Sequence, residues 1–473
     1  MPEILTPDLC VIGAGSGGLS VAAAAAAMGV AVVLIEKGDM GGDCLNVGCV
    51  PSKTLIAASH VAHAMRHAGR FGLMPVEPRI DYAKLRDHIR ATIAAIAPND
   101  SQARFEAMNV RVIRAAARFA SRTTCEAGGF VIKARRFVVA TGSSPALPPV
   151  PGIDLVRPLT NESVFDLASL PPRLIVIGAG AMGIELAQAF RRLGSEVTVL
   201  DAGTALSRED GELAAPVLLR LAREGVVLRQ NIKILRIEPR GTGLRLVLAG
   251  PMLEESIDGS HLLIAAGRKP NVENLGLDAA QVVFDAGGIK VGANLRSSNK
   301  RIYAVGDVAG GQSTHAANYH AGLVLRATLF RQPVKVRPGL LPRVTYCDPE
   351  IASIGLSEAD ARQRQLKINV LRWPFAENDR AHAQADTAGL IKVITTNNGR
   401  IVGAGITGAG AGELIAPWAL ALAKKLRIAD MAALVPPYPT RSEISRRIAL
   451  TSFAASLRSP WLGRILRFLR RFG

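Results

Sequence analysis

Cysteines and aromatic residues are scarce in this chain: five cysteines and 4% aromatics among 473 residues. Met1 to Asp8 runs straight into the apolar stretch Leu9-Cys10-Val11-Ile12 and leaves no room for a signal peptide, so a cytoplasmic location is expected. Few cysteines without an export signal exclude a structural disulfide framework and point to redox or metal chemistry. Few aromatics beside 46 glycines favour helices packed closely on sheets over repeats or low-complexity polymers. Acid is short too, with 39 Asp and Glu against 57 Lys and Arg, a net charge of +18. Zinc-finger spacing and RNA-binding aromatic motifs are both missing, so this excess predicts no specific nucleic-acid partner. Long apolar runs are also absent: Val21 to Ile35 is interrupted by Gly29 and reads as a helix followed by a strand, not a membrane span.

One pattern is present twice. Val11-Ile12-Gly13-Ala14-Gly15-Ser16-Gly17-Gly18 and Val176-Ile177-Gly178-Ala179-Gly180-Ala181-Met182-Gly183 each close an apolar run and open an Ala-rich segment. Each continues through a glycine, Gly29 or Gly194, into a second apolar run that ends in an acid, Glu36 or Asp201. In such a GxGxxG turn the first two glycines allow a tight bend and close approach of a pyrophosphate, and the third lets helix and strand pack. The terminal carboxylate can accept hydrogen bonds from ribose hydroxyls. One such turn occurs for purely steric reasons often enough; two with matching acids predict two dinucleotide sites. Asp201 favours NADH over NADPH, because a carboxylate repels a 2′-phosphate; Arg208, a few residues on, softens that preference.

The most specific feature follows Glu36: Gly41-Gly42-Asp43-Cys44-Leu45-Asn46-Val47-Gly48-Cys49-Val50-Pro51-Ser52-Lys53. Positions five apart in an ideal helix have Cα atoms about 8.5 Å apart, whereas a disulfide needs roughly 4.4 to 6.8 Å. Pairing of Cys44 with Cys49 therefore requires a distorted segment, for which Gly48 and Pro51 are suited. A constrained disulfide beside an electron carrier can be reduced and re-formed. The alternatives are two unpaired buried thiols, the better reading for Cys10, Cys125 and Cys347, and a zinc site, for which no further Cys or His stands nearby.

At these residues the sequence resembles the class I pyridine nucleotide-disulfide oxidoreductases, which include dihydrolipoyl dehydrogenase, glutathione reductase and mercuric reductase. Further matches are Ala140-Thr141-Gly142, Ala265-Ala266-Gly267-Arg268-Lys269-Pro270-Asn271, Ala304 to Asp307, and Asp348-Pro349-Glu350 with Ile354-Gly355. The resemblance implies an α/β fold with two Rossmann-like domains, for FAD and NAD(P), and a C-terminal α+β dimerisation domain. The expected boundaries are 1–150 and 273–342 for the FAD and central parts, 151–272 for NAD(P), 343–445 for dimerisation and 446–473 for a basic tail.

The same resemblance places FAD on Gly13, Gly15, Gly18 and Glu36, with Thr141, Gly142 and Gly267 in matching motifs and Asp307 at the ribityl chain. It places NADH, with NADPH as the alternative, at Gly178, Gly180, Gly183 and Asp201. Lys53 is implied to pair with Glu185 near the flavin. Cys49 becomes the thiol facing the flavin and Cys44 the one that attacks the acceptor. No metal is expected as a resident cofactor. A homodimer is implied, in which Tyr438 and Glu443 complete the partner's site.

The chain departs from the disulfide-reducing relatives at Tyr438-Pro439-Thr440-Arg441-Ser442-Glu443, where they carry His-Pro-x-x-x-Glu. A phenol titrates near ~10 against ~6.5 for imidazole and is a poor general base. Tyr at this position and the segment Trp373 to Arg380 resemble the mercuric-reductase branch, yet no cysteine follows Cys347 to receive a metal. The acceptor is thus a small-molecule disulfide, a thiophilic metal ion or another oxidant. Dihydrolipoyl dehydrogenase is one alternative, and a flavin-bearing redox sensor is an alternative of another class.

Lys424, Lys425, Arg427, Arg446, Arg447, Arg458, Arg464, Arg467, Arg470 and Arg471 concentrate positive charge towards the C-terminal end. From Trp461 onward the apolar residues fall on one side of a helix and the arginines on the other. Residues 460–473 therefore read as a basic amphipathic helix that contacts its own dimer, a partner protein, or anionic lipid at the inner face of the membrane.

Overall fold

The computed structural model describes residues 2–250, 253–311, 313–453 and 460–472. Arg458, counted above in the basic excess, lies outside them.

Four consecutive buried residues, Leu9–Ile12, form the central strand of a five-stranded sheet in the order Ile302–Ala304, Arg136–Val139, Leu9–Ile12, Val32–Glu36, Arg111–Arg114. All its pairings are parallel, and the inner strands Leu9–Ile12 and Val32–Glu36 read as nearly continuous apolar runs because both their faces are covered. The strand Ile302–Ala304 comes from far down the chain, so this unit is discontinuous. The Ala-rich helix Ser16–Ala27 packs against the helix Thr314–Leu329. Small residues allow the close approach: a Cβ on Gly17 would stand 3.2 Å from Val305 and 3.3 Å from Ala317.

The second unit repeats the plan. Strands Val227–Arg229, Glu196–Leu200, Arg173–Ile177 and His261–Ile264 form a parallel sheet. A three-stranded antiparallel sheet, Ile234–Arg240, Gly243–Ala249 and Glu254–Gly259, shares a core with it. The short strands Ser143–Pro145 and Arg268–Pro270 pair antiparallel where the chain leaves and re-enters the first unit.

From Arg343 onward the chain builds a five-stranded antiparallel sheet in the order Arg343–Thr345, Glu350–Gly355, Ile401–Gly408, Leu390–Thr396, Ile368–Pro374. Its core surrounds Trp418, whose indole N–H donates to Ser445 Oγ at 3.1 Å. The architecture is thus α/β, two Rossmann-like units and an α+β third region. Among the described residues no helix is long and apolar enough to cross a membrane.

Candidate active site

Both GxGxxG turns have the same local construction. Gly13 has φ +105° and Gly178 φ +109°, and a Cβ on either would meet a carbonyl oxygen, of Ala140 or Ala265, at 2.4 Å. A Cβ on Gly18 or Gly183 would lie 1.9 Å from the carbonyl oxygen of the first glycine, so the third glycine is required by helix–strand contact. The middle glycines differ: Gly180 faces open space to 4 Å, and Gly15 has only the Gly42 Cα at 3.9 Å. The helices that follow begin without a side-chain cap and with no acid in the first turn. Their leading N–H groups therefore suit a pyrophosphate, and the residues present fit two dinucleotides.

The two terminal acids brace these turns. Ala14 N–H donates to Glu36 Oε2 at 2.6 Å and Gly38 N–H to Oε1 at 2.7 Å. Ala179 N–H donates to Asp201 Oδ2 at 2.6 Å and Gly203 N–H to Oδ1 at 2.7 Å. A carboxylate has spare lone pairs for ribose hydroxyls beyond these contacts. Thr141 Oγ1 donates to the Asn271 carbonyl at 2.7 Å and Asn271 N–H to the Gly142 carbonyl at 3.0 Å, while Gly267 faces open space. Asp307 accepts from Ser143 Oγ. Burial pushes the Asp307 carboxyl up, against the pull of Ser143 and Arg268. Arg268 also reaches Asp43 Oδ1 at 3.0 Å and the Asn161 amide oxygen at 3.2 Å.

The thiol segment is broken as its spacing requires. One helix covers Gly42–Asn46 and the next Cys49–Arg66. Gly48 between them has φ −120° and ψ −107°, and a Cβ there would lie 2.8 Å from Asp43 O and Oδ2. Cys44 and Cys49 are free thiols, as are the buried Cys10, Cys125 and Cys347; the pair stands as a dithiol. The two members are polarised in opposite directions. The hydrogen bond between them raises the Cys44 thiol well above its ordinary value. It lowers Cys49 to about 6, with burial opposing and Thr314 and Lys53 assisting. Cys49 Sγ lies 3.5 Å from Thr314 Oγ1, at the start of the helix Thr314–Leu329. At neutral pH the arrangement is a thiolate at Cys49 held by a thiol at Cys44.

One turn along the same helix, Lys53 Nζ donates to Glu185 Oε2 at 2.6 Å, so the expected pair is in contact. Tyr346, which the sequence did not single out, touches both members. Its N–H donates to Glu185 Oε1 at 2.8 Å, and Lys53 Nζ lies 4.5 Å from its ring centroid. A cation over an aromatic face is worth about 0.5–1 kcal/mol in a partly exposed setting. Tyr346→Leu is therefore expected to loosen Lys53 and raise the apparent pKa of Cys49, read from iodoacetamide reactivity against pH, whereas Tyr346→Phe leaves it in place. Equal behaviour of the two variants would show that the ring does not hold Lys53.

Tyr438 and Glu443 make separate contacts, although Glu443 lies near enough to act electrostatically on the Tyr438 phenol. Tyr438, 70% exposed, donates its phenolic O–H to Asp379 Oδ2 at 2.9 Å, which raises the phenol further above its ordinary value. Glu443 instead opens the helix Glu443–Thr451. Among the described residues neither Tyr438 nor Glu443 is hydrogen-bonded to Cys44 or Cys49 of the same chain.

Residues 7–321 match the family model described as pyridine nucleotide-disulphide oxidoreductase, and residues 341–448 match that family's dimerisation domain. A mercuric reductase of Streptomyces lividans is 33% identical over 456 residues, covering 94% of this chain and 96% of its own. A dihydrolipoyl dehydrogenase of Geobacillus stearothermophilus is 33% identical, covering 93% and 95%. Among solved structures, the HOCl-induced flavoprotein disulfide reductase RclA of Escherichia coli is 25% identical with a TM-score of 0.83, covering 93% of this chain and 99% of its own.

Proposed function

The chain belongs to the pyridine nucleotide-disulphide oxidoreductase family, FAD-dependent enzymes that use NAD(P)H, and on that premise we propose that it passes electrons from NADH to Cys44 and Cys49 and on to a thiophilic acceptor. Its match to the family's dimerisation domain makes it a homodimer. FAD, when bound, supplies two-electron exchange with the nicotinamide. The chain's own residues divide the remaining work. The turns at Gly13–Gly18 and Gly178–Gly183 orient the two dinucleotides, with Glu36 and Asp201 for the riboses. Asp307 is assigned to the ribityl chain, and Lys53 with Glu185 holds a fixed positive charge beside the thiols.

The observation that carries this reading is the polarised dithiol. In reaction with a disulfide acceptor, the Cys44 thiol passes its proton along their hydrogen bond to the Cys49 thiolate, and the Cys44 thiolate so formed attacks one sulfur and displaces the first thiolate, which takes the proton from Cys49. The Cys49 thiolate then attacks Cys44 Sγ, expels the second thiolate and closes the Cys44–Cys49 disulfide. A low-pKa thiol at Cys49 suits that second, intramolecular displacement.

The acceptor is proposed to be a small-molecule disulfide or a soft metal ion, as in the mercuric-reductase-like branch. Tyr438 supports this against dihydrolipoyl dehydrogenase. Oxidising a dithiol requires a base, and a phenol donating to the Asp379 carboxylate is held protonated. The screen that tests the proposal uses lipoamide, glutathione disulfide, mercuric and cupric ions and quinones with the wild-type protein and Cys44→Ser. Rapid multiple turnover with one of the thiophilic acceptors, lost in the variant, is expected. NADH consumption that stops after one equivalent with every acceptor would instead support a redox sensor, and NAD-dependent oxidation of dihydrolipoamide would support a dihydrolipoyl dehydrogenase. A cytoplasmic location, at the inner face of a membrane through residues 460–473, belongs to the same proposal.

A further inference from the structure

The family's dimerisation match stops at residue 448, and the chain continues with a segment of different chemistry. After Glu443 there are seven arginines and not one Asp, Glu or Lys. Pro460–Leu469 is a helix in which no residue is buried. Trp461 is 69% exposed, Phe468 56% and Phe472 75%, with Leu466 and Leu469 also exposed. The rings of Phe468 and Phe472 meet edge to face with centroids 5.1 Å apart.

At 100° per residue, Trp461, Leu462, Ile465, Leu466, Phe468, Leu469 and Phe472 fill an arc of about 160°, and Arg464, Arg467, Arg470 and Arg471 fill an arc of about 120° opposite. No residue of one class lies within the arc of the other. An apolar face this broad needs a cover, and the charge indicates which. The only charged side chains of residues 460–472 are four arginines, which the same helix of a second copy repels and an anionic surface attracts. A protein groove covers one side of a helix; a lipid interface takes both sides at once, the rings among acyl chains and the guanidinium groups level with phosphates.

We infer that residues 460–472 form an in-plane anchor that binds the dimer to membranes rich in anionic phospholipid. Trp461, Ile465, Phe468 and Phe472 are the buried wedge, and the arginines contact the headgroups. Two tails per dimer act together, which gives avidity that neither helix has alone. The inference rests on the cytoplasmic placement proposed above and is independent of the acceptor, because vesicle binding and thiol turnover are measured separately.

The test is sedimentation of the flavin-loaded dimer with vesicles of phosphatidylcholine alone and with phosphatidylglycerol added. The intact protein is expected to bind the anionic vesicles at least about 10-fold more tightly than the neutral ones, and to be released by high salt. Phe468→Ser with Phe472→Ser should lose most of the binding, and so should a chain ending at residue 459, with NADH turnover in solution unchanged in both. Equal sedimentation of intact and shortened chains would overturn the inference. So would conversion of the dimer to monomer on removing the tail, since the helix would then be covered by its own second copy, and so would binding that ignores lipid charge.

Discussion

Cys44→Ala is expected to lower turnover with a thiophilic acceptor by about 10³-fold or more and at the same time to shift Cys49 from about 6 towards the ~8.5 of an ordinary cysteine. The two effects have separate causes. Turnover falls because the attacking sulfur is gone. The thiol pKa rises because the largest influence lowering Cys49 is the hydrogen bond from Cys44. The sign follows from which form is held: the bond favours the thiolate, so losing it favours the thiol. At pH 7 the ionised fraction of Cys49 should fall from about nine-tenths to a few per cent, measured by absorbance of the thiolate near 240 nm or by alkylation rate against pH. Cys44→Ser separates the causes. Its hydroxyl still donates to Cys49, so turnover is lost while Cys49 stays acidic. An equally low pKa in Cys44→Ala would remove the hydrogen bond as its cause.

The largest effect on stability is expected from Arg192→Met. Arg192 is 3% exposed and binds Glu224 through Nε at 2.9 Å and Nη2 at 2.6 Å, and Asp348 through Nη2 at 2.7 Å. Gln188, on the same helix face, adds two bonds to the Asp348 backbone, at 2.8 and 2.7 Å. With Glu185 holding the Tyr346 N–H, one face of the helix Ala181–Leu193 fixes the segment Tyr346–Asp348 of the third region. Removing the guanidinium leaves two carboxylates of low exposure without their partner, a loss of roughly 3–5 kcal/mol. Burial raises the Asp348 carboxyl, but Arg192 and Arg220 outweigh it and hold the group below its ordinary value. The stabilisation it contributes is therefore present above the unfolded pKa near ~3.9 and is lost as pH falls through the lower folded value. Protonation also relieves the variant's unpaired carboxylate, so the gap between wild type and variant should narrow below about pH 4. A gap in urea midpoint that is the same at pH 7 and pH 3.5 would contradict this account.

Much of this site could be read from the sequence because its parts are local. The turn glycines, the acids Glu36 and Asp201 and the break at Gly48 each answer a steric need set by residues a few positions away or by the strand alongside. Lys53 with Glu185 was reached only through family resemblance, since nothing local relates helices from two different units. Thr314 lies 265 residues from Cys49 in a segment with no motif of its own, and Tyr346 acts through a ring face and a backbone N–H that leave no pattern in sequence. Tyr438 could be recognised as a departure, but its bond to Asp379 could not: the family pattern directs attention to Glu443, while the fold presents the start of the helix Asp379–Ala383.

The claim on which the rest depends is that the two sulfurs form a second two-electron store beside the flavin. Anaerobic titration of the air-oxidised, flavin-loaded protein with dithionite measures it directly, with alkylation and mass mapping of the cysteines before and after. Wild type should take up twice the reductant that Cys44→Ser takes up, and Cys44 and Cys49 should become alkylated only after reduction. Equal uptake by the two proteins, with both sulfurs already open to alkylation before any reductant is added, would contradict the account.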